Sequence, residues 1–510
     1  WWGIGLSMFA TNVDNADLVS VTGSTYNEGL HIISVYALGS AVGGILAAFF
    51  VVPAIYRAGF YTNAEYLEAR FGPSMRVLSA LIQLQYRSSM LGLMIWTVYL
   101  LLTRLVDMSP AAAWILIVFF VVSAGYYAAW GGLKAVVWTD AVQGLIMMGG
   151  GLAITWAVWN AVGGWSGMNE SLEAAGTVDG VELSELPRIS SYRGTSGEVP
   201  PLLIVLAWTI IGCGYWTVNH TQTMRLMGAR SLWDMRMAAL FGISLSLPIM
   251  ISCAFLGICG RAIPEYQNLE HVDTLYPILA DRYLTWGWKG LVVAGILAAA
   301  VSTFDSMGAS LSAVFTRDIY ARFLVRDRDD DHYVRVGRWA TIGVLALGFL
   351  YLPLIWKQEN MLKAFTTLIP VFVTPLLTIY ALGAVSPIHR SSGWIGLTVG
   401  SVYGFAALIS REFPEFLELP SLFSERWMAL IWSLLITSTT VGLVTLVAGT
   451  DKRESWTELE ETGWLGRSRD KLPAIREHPF KHAVPVWANA TIWAWIVLIG
   501  CTWVVFGCFW

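Results

Sequence analysis

The sequence has 510 residues, of which 56% are hydrophobic and only 13% are charged, and it contains 26 tryptophans. With a mean hydropathy of +0.58, this composition excludes a soluble globular protein and predicts a polytopic membrane protein. The net charge of −4 is too small to indicate nucleic acid as a partner.

Apolar runs recur along the whole chain. Because a bilayer core needs roughly 20 apolar residues per helix, we expect about thirteen transmembrane helices. The alternating pattern of a membrane β-barrel is absent from the sequence, so the predicted fold is all-α. The predicted spans, numbered 1 to 13, are 2 to 22, 29 to 54, 77 to 103, 111 to 129, 136 to 162, 201 to 224, 237 to 262, 287 to 316, 338 to 356, 361 to 385, 393 to 410, 427 to 449 and 486 to 509.

The loops between the spans differ in basic content. Lysine and arginine are concentrated in alternate loops, among them the loop after span 6, which is expected to begin at Arg225. This bias predicts that span 1 runs from inside to outside. The polar segments 163 to 200, outside, and 451 to 484, inside, are expected to be surface loops. We therefore expect a multi-pass protein of the cell membrane.

Span 1 carries the polar run TNVDNAD at residues 11 to 17. Asn and Asp side chains compete for backbone hydrogen bonds, and a broken helix is tolerated in a membrane only where it lines protein or a watery cavity. We expect span 1 to be interrupted here in order to hold an ion and a solute.

A second interruption is expected five spans later, at Gly212-Cys213-Gly214 in span 6. Breaks at corresponding positions in two halves of a chain are typical of transporters built from inverted repeats. The alternative is that these glycines serve only close helix packing.

Three blocks of the sequence are distinctive. They are WWGIGLSMFATNVDNADLVSVTGSTYNEGL (1 to 30), GGLKAVVWTDAVQG (131 to 144) and KGLVVAGILAAAVSTFDSMGASLSAVFTRDIYARF (289 to 323). Together they resemble the sodium/solute symporter family, especially its sodium-coupled sugar carriers, and the resemblance extends over essentially the whole chain. It implies a LeuT-like core of five plus five inverted helices in residues 1 to 385 (spans 1 to 10), with peripheral helices in residues 386 to 510 (spans 11 to 13).

The same resemblance implies a sodium site between spans 1 and 8. Its ligands would be the backbone carbonyls of Ala10, Val13 and Ala299 and the hydroxyls of Ser302 and Thr303. The spacing of the three span 8 residues places them on one helical face. The alternative is that the two hydroxyls only bond to their own helix.

Ionisable residues inside a bilayer are costly and therefore indicate function. Some family members hold a second sodium ion with the aspartate that aligns to Asp140, which suggests a second cation site formed by Asp140, Asp305 and Ser306 together with the span 8 hydroxyls. The competing interpretation is that Asp140 binds inner-loop donors such as Lys134 and that Asp305 pairs with another helix.

Arg87 lies about halfway along predicted span 3, which flanks the substrate cavity in a LeuT-like fold. It would either neutralise Asp14 or Asp17, or clamp a substrate carboxylate, for which a planar guanidinium is well shaped. Asp17 is also suited to accept hydrogen bonds from sugar hydroxyls or to meet an amine.

The resemblance to sugar carriers is weaker at the solute site. Where galactose-binding relatives use Gln, Glu, Asn and Gln, this chain has Asp17, Tyr36, Gly212 and Thr367. Tyr215 matches the aromatic residue that closes such sites on the inner side. The predicted substrate contacts are Asp14, Asp17, Arg87, Tyr215 and Thr367.

These features predict a sodium-coupled symporter that imports a small organic solute by alternating access, with a sugar or sugar derivative favoured. A carrier of organic anions that uses Arg87, or a transporter-like sensor or channel, is the alternative. An enzyme is not expected, because no nucleophile and base, or metal cluster, converge in the sequence. Na⁺ as coupling ion, the solute and the lipid bilayer are the expected partners, with no other cofactor and no obligate protein partner.

Overall fold

The computed structural model describes residues 1–178, 180–191, 199–356, 366–451 and 484–510, and the chain is almost entirely helical in these ranges. Most of the predicted inner loop 451 to 484 lies outside the described residues. The helices at the predicted spans, in order, are Trp2–Asn12 with Asn15–Glu28, Leu30–Ala58, Pro73–Arg104, Pro110–Gly132, Ala135–Ala161, Pro201–Val218 with His220–Met227, Leu232–Ala262, Trp286–Leu324, Asp330–Ile355, Ile369–Val385, Ser392–Glu412, Arg426–Ala448 and Ala490–Cys508.

Within the described ranges, 10 helices are long and apolar enough to cross a membrane. Spans 1, 3 and 10 are outside this set, and span 1 consists of two helices of 11 and 14 residues. Spans 4 and 5 are joined at Gly132, whose φ of 65° turns the chain between the two helices. A left-handed φ of this kind favours glycine, since other residues pay a steric cost there.

The predicted outer loop 163 to 200 contains more regular structure than expected. Its helix Gly164–Ala175 is followed by two short strands, Thr177–Val178 and Val181–Glu182, that pair antiparallel. Further short helices connect the spans at Asn63–Phe71 and Leu275–Tyr283.

Spans 5 and 8 pack with close backbone contact. A Cβ atom on Gly150 of span 5 would lie 3.1 Å from the Cα atom of Val292, and one on Gly295 of span 8 would lie 3.1 Å from the Cα atom of Met147. Small residues at such contacts let helix backbones approach each other in a membrane. Span 8 is therefore held at a fixed depth beside span 5.

Span 1 packs closely against spans 5 and 7. A Cβ atom on Gly144 of span 5 would be 3.1 Å from the Cβ atom of Ala10, and one on Gly242 of span 7 would be 3.0 Å from the Gly5 carbonyl oxygen. Spans 1, 5, 7 and 8 thus form the packed centre in which buried polar groups meet.

The expected break at Gly212-Cys213-Gly214 is wrong, because an α-helix continues through these residues to Val218. The glycines serve close packing instead: a Cβ atom on Gly212 would lie 1.3 Å from the carbonyl oxygen of Gly39 in span 2. Span 6 is interrupted later, at Asn219.

A cluster of buried charges ties the start of span 3 to the end of span 8. Arg76 donates to Glu68 at 2.6 Å, to Glu65 at 3.2 Å and to Asp318 at 2.8 Å, and Arg317 also donates to Glu65. Buried charges are tolerated when they are paired and hydrogen-bonded. The loop helix Asn63–Phe71 is fixed between the two spans by these pairs.

Replacing Gly212→Ala is expected to destabilise the protein, because the added methyl group would meet the span 2 backbone rather than a movable side chain. Overpacking of this kind costs about 1–3 kcal/mol or more. The measurement is the apparent melting temperature of the purified protein in detergent. The control is Gly343→Ala in span 9, where nothing lies within 4 Å of the added atom and where the better helix propensity of alanine should preserve or raise the melting temperature. Equal melting of Gly212→Ala and wild type would contradict the close packing.

Candidate functional site

Span 1 is interrupted where its polar run predicts. The first helix ends at Asn12, Val13 has φ −109° and ψ 101°, and the second helix begins after Asp14, which has φ −103° and ψ 176°. A capping box starts the second helix, since Asp14 Oδ1 accepts the Asp17 amide at 2.9 Å and Asp17 Oδ2 accepts the Asp14 amide at 3.3 Å. The expected break in span 1 is confirmed, and the two aspartates stabilise it as N-terminal caps.

Two asparagines hold the interrupted segment against its neighbours. Asn12 Nδ2 donates to Ser246 Oγ of span 7 at 2.9 Å and to Ser40 Oγ of span 2 at 3.3 Å. Asn15 Nδ2 donates to the Met94 carbonyl of span 3 at 3.0 Å. The break is thus a fixed feature of the packed bundle.

The interruption of span 6 at Asn219 is satisfied by polar side chains from outside the span. Asn63 Nδ2 donates to the Val218 carbonyl at 2.8 Å, and Gln83 Oε1 of span 3 accepts the His220 amide at 3.2 Å. Backbone groups freed within a membrane protein need such partners. The two interruptions are therefore five spans apart, as in an inverted repeat.

The residues predicted to bind sodium are all buried at the contact between spans 1 and 8. The Thr303 hydroxyl donates to the Ala299 carbonyl at 2.9 Å, within its own helix, and the Ser302 hydroxyl donates to Asp140 Oδ1. Thr11 Oγ1 of span 1 lies 3.5 Å from Ser306 Oγ of span 8. Each predicted hydroxyl thus has a protein partner in this conformation.

Asp140 is the centre of a fully buried polar cluster. Besides the Ser302 hydroxyl, it accepts Ser7 Oγ of span 1 at 2.5 Å and Arg225 Nη2 of span 6 at 3.0 Å. Arg225, expected at the start of a loop, is instead buried in the helix His220–Met227. The side chain of Lys134, the other donor considered for Asp140, lies outside the described part of the chain.

Arg225 also reaches the second predicted carboxylate indirectly. Its Nε donates to Ser7 Oγ at 2.7 Å and its Nη2 donates to Ser306 Oγ, whose hydroxyl donates to Asp305 Oδ1 at 3.0 Å. Asp305 also accepts the Tyr127 hydroxyl of span 4. One guanidinium therefore lies among the three residues predicted to form a second cation site.

A cavity next to the break encloses about 780 Å³ of empty space, including its open mouth. Its walls come from spans 1, 2, 3 and 6 and are formed by Asn12, Asp14, Ala16, Asp17, Ser20, Val35, Tyr36, Ser40, Arg87, Met90, Leu93, Met94, Trp208, Ile211, Gly212 and Tyr215. Four of the five predicted substrate contacts line this cavity together. The fifth, Thr367, is not among these lining residues, and its role stays a prediction.

The polar groups of this cavity are held by aromatic neighbours. The Tyr36 hydroxyl donates to Asp17 Oδ1 at 2.8 Å, and the Tyr215 hydroxyl donates to the Thr11 carbonyl, beside the break, at 3.2 Å. The Arg87 guanidinium lies 5.7 Å from the centre of the Tyr215 ring, within range of a cation–π contact. Among the described residues, no ion pair within 4.0 Å joins Arg87 to Asp14 or Asp17.

Several residues of the site were not singled out by the sequence. They are Ser7, Asn63, Gln83, Tyr127 and Arg225. The signal for Arg225 was the polar run NHTQTMR at 219 to 225, since a segment with so few apolar residues cannot face lipid and must be buried in protein. Ser7 and Tyr127 are isolated polar residues in apolar helices, whereas Asn63 and Gln83 lie among other polar residues, so spacing alone distinguishes none of them.

Comparison with solved structures identifies the fold. A Na⁺-coupled sialic acid symporter in a substrate-bound outward-open state matches with a TM-score of 0.71 at 19% identity, over 89% of this chain and 91% of that chain. Mhp1, a nucleobase-cation-symport-1 family transporter in a closed conformation with bromovinylhydantoin bound, matches with a TM-score of 0.56 at 15% identity, over 88% of this chain and 92% of that one. The predicted LeuT-like fold is confirmed.

Relatives in sequence agree with this fold. The sodium/glucose cotransporter of Vibrio parahaemolyticus is 27% identical over 427 residues, which are 79% of this chain and 76% of that protein. Sodium/myo-inositol cotransporter 2 of Oryctolagus cuniculus is 25% identical over 529 residues, covering 95% of this chain and 76% of that protein.

The family model that matches the chain covers residues 1–386 and describes the sodium:solute symporter family. Its end nearly coincides with the predicted end of the core at residue 385, although the division into core and peripheral helices stays a prediction. Members of this family are transporters that use Na⁺ as the coupling ion, and the helices long enough to cross a bilayer agree with a multi-pass protein of the plasma membrane. The chain belongs to the sodium:solute symporter family and couples the transport of a small solute to sodium.

Proposed function

We propose that the chain imports a small organic solute together with Na⁺ by alternating access, with both binding sites built around the interruption of span 1. The observation that carries this proposal is the position of Val13 and Asp14. Asp14 lines the cavity, and Thr11, two residues before Val13, lies 3.5 Å from the Ser306 hydroxyl of span 8. An interrupted helix of this kind offers both free carbonyls and a helix N-terminus in the middle of a bundle.

The proposed sodium ligands are the carbonyls of Ala10, Val13 and Ala299 and the hydroxyls of Ser302 and Thr303. Na⁺ needs oxygen ligands, and formal charge is not required when enough carbonyls and hydroxyls converge. The contact between Thr11 and Ser306 supports the proposal, since it holds span 1 beside span 8. The Thr303 hydroxyl can keep donating to the Ala299 carbonyl while its oxygen lone pairs bind the ion.

The proposed solute contacts are Asp14, Asp17, Arg87 and Tyr215, which share one cavity; Thr367 is retained only from the sequence comparison. Relatives named as cotransporters of glucose and of myo-inositol support a sugar, polyol or related compound as the solute. The aromatic and methionine walls of the cavity suit an apolar part of the solute.

A second cavity supports transport by alternating access. It encloses about 1580 Å³ including its mouth, and His220 and Met224 line it together with residues at the ends of spans 2 and 8. The solute cavity is lined by the residues of span 6 before Asn219, and the second cavity by those after it. A carrier needs such separate approaches to one central site. Counterflow of labelled solute in liposomes would distinguish this carrier from a channel.

At the second predicted cation position, formed by Asp140, Asp305 and Ser306, we propose that the Arg225 guanidinium supplies the positive charge. Its Nη2 contacts both Asp140 and Ser306. Leaving a buried carboxylate unpaired costs several kcal/mol, so either Arg225 or a cation must stay near Asp140. A second Na⁺ would therefore bind only after Arg225 withdraws. We also propose that the chain functions in the lipid bilayer without an obligate protein partner.

The double substitution Ser302→Ala with Thr303→Ala is expected to abolish sodium-dependent solute uptake, because it removes both hydroxyl ligands of the proposed ion site. The measurement is uptake into proteoliposomes with and without a sodium gradient. The control is Thr398→Ala with Thr440→Ala, in spans 11 and 12, where both hydroxyls bond only to their own helix. Full sodium-stimulated uptake by the first variant would refute the site.

The sodium dependence of uptake is expected to have a Hill coefficient near one in the wild type, because Arg225 holds the second cation position. In Arg225→Gln the coefficient is expected to rise above one, since Asp140 then requires another cation. The measurement is initial uptake rate against sodium concentration, with Arg230→Gln, an exposed arginine after the same helix, as control. A coefficient near two in the wild type would contradict the role given to Arg225.

A further inference from the structure

The three charged residues of the solute cavity carry opposite signs but form no close ion pair. Asp14, Asp17 and Arg87 all line the cavity, yet among the described residues no nitrogen of Arg87 lies within 4.0 Å of either carboxylate. Arg87 therefore acts on the charges of the two aspartates from a distance, and whether it serves mainly to neutralise them or to bind a substrate carboxylate stays a prediction.

Arg87 is a buried cation with unused hydrogen-bonding capacity. Its side chain is only 2% exposed, and its Nε has no hydrogen-bond partner. Tyr86 hydrogen-bonds Arg87 through its side chain, and the rings of Tyr86 and Tyr215 each lie 5.7 Å from the guanidinium carbon in cation–π contact, but Nε still has no partner. A buried donor of this kind requires an acceptor, and a carboxylate matches the planar fork of the guanidinium.

The two aspartates differ in the hydrogen bonds that they accept from the protein. Asp17 accepts the Tyr36 hydroxyl on one oxygen and the Asp14 amide on the other, whereas Asp14 accepts the Asp17 amide on Oδ1. A carboxylate has about four lone-pair sites. Both aspartates are partly buried and line the cavity. Asp14 accepts only backbone amides, whereas Asp17 also holds the Tyr36 hydroxyl, so Asp14 is the better placed of the two to meet a protonated amine.

We infer, on the basis of the function proposed above, that the solute is a zwitterion of amino-acid type, with a carboxylate that meets Arg87 and a protonated amine that meets Asp14. Because Arg87 and Asp14 line one cavity without a direct ion pair, each charge is available to one end of such a solute. Each charged end of the solute would then pair with a side chain, Arg87 or Asp14, that still has hydrogen-bonding capacity. Asp17 lines the same cavity and also fixes Asp14 through the capping box.

The cavity walls suit the remainder of such a solute. Met90, Leu93, Met94 and Ile211 contribute an apolar surface beside the charged residues. A small aliphatic or aromatic side chain would lie against this surface, while a sugar would present hydroxyls to it on several sides. The charge pattern and the apolar wall together favour an amphiphilic zwitterion over a neutral polyol.

The test is thermal stabilisation of the purified full-length chain by a panel of solutes at millimolar concentration, with Na⁺ or with K⁺. The panel contains neutral α-amino acids, glucose and myo-inositol, and for every amino acid its amide and its N-acetyl derivative, which lack the negative and the positive charge respectively. We expect at least one zwitterion to stabilise the protein in Na⁺, with its amide and N-acetyl derivative about tenfold weaker or more. The inference is overturned if no zwitterion stabilises the protein. It is also overturned if the amide and the N-acetyl derivative bind as tightly as the parent amino acid.

Two substitutions assign the contacts. In Arg87→Gln the zwitterion and its amide should bind equally, and in Asp14→Asn the zwitterion and its N-acetyl derivative should bind equally, since each variant removes the group that distinguishes them. Asn remains a good N-cap, so Asp14→Asn should keep span 1 folded. Arg104→Gln, at the exposed end of span 3, is the control and should retain the full charge preference.

The outcomes separate this inference from the proposed function. Stabilisation by glucose or myo-inositol but by no zwitterion, still dependent on Na⁺, would overturn the zwitterion and leave sodium-coupled transport in place. Stabilisation by a zwitterion equally in Na⁺ and K⁺ would support the solute class and count against the sodium site. A retained charge preference in Arg87→Gln would remove Arg87 from the solute contact.

Discussion

The unwinding of span 1 at Val13 and Asp14 is the constraint on which the rest of the structure depends. A helix interruption in a bilayer leaves backbone groups without intrahelical partners, and few waters are present to satisfy them. Here the cost is offset locally by the Asp14–Asp17 capping box and by the Tyr215 hydroxyl at the Thr11 carbonyl. The interruption survives because spans 2, 3, 6 and 7 provide polar groups at its depth, and spans 2, 3 and 6 also form walls of the solute cavity.

The buried charges around Asp140 follow from a second constraint, that charge inside a bilayer must be compensated. Asp140 and Arg225 form a direct pair, and Ser7, Ser302 and Ser306 occupy the remaining hydrogen-bonding positions. These groups come from spans 1, 5, 6 and 8. A displacement of any one of these helices therefore breaks charged hydrogen bonds, so the cluster favours discrete arrangements of the bundle over continuous sliding.

The sequence was sufficient for the interruption of span 1 and insufficient for that of span 6, for a physical reason. Aspartate and asparagine in mid-span have few roles other than capping and binding, so the run at 11 to 17 was informative. Glycine serves both unwinding and close packing, and at Gly212 packing against Gly39 prevails.

The sequence places Arg225 in a loop because hydropathy gives every arginine the same value, whether it is buried or exposed. Its partners Ser7 and Asp140 are distant in sequence, so no local pattern reveals the pairing. Asp14, Asp17, Arg87 and Tyr215 were correctly expected near one another, whereas the absence of an ion pair at Arg87 depends on a side-chain distance that no sequence pattern encodes.

Coupling between ion and solute needs no long pathway in this architecture. Under the proposed function, Na⁺ holds the first helix of span 1 against span 8, while the solute holds the second helix against spans 2, 3 and 6. Both ligands therefore bias the same hinge, and a ligand shifts an equilibrium only through its different affinity for the two states. Since binding linkage is reciprocal, each ligand must strengthen the binding of the other by the same factor.

Two contacts join the wall of the solute cavity to span 8. The Tyr215 hydroxyl donates to the Thr11 carbonyl, and the Thr11 hydroxyl lies 3.5 Å from the Ser306 hydroxyl. Under the proposed function, two sites this close on one interrupted helix can therefore strengthen each other's binding through direct contacts alone.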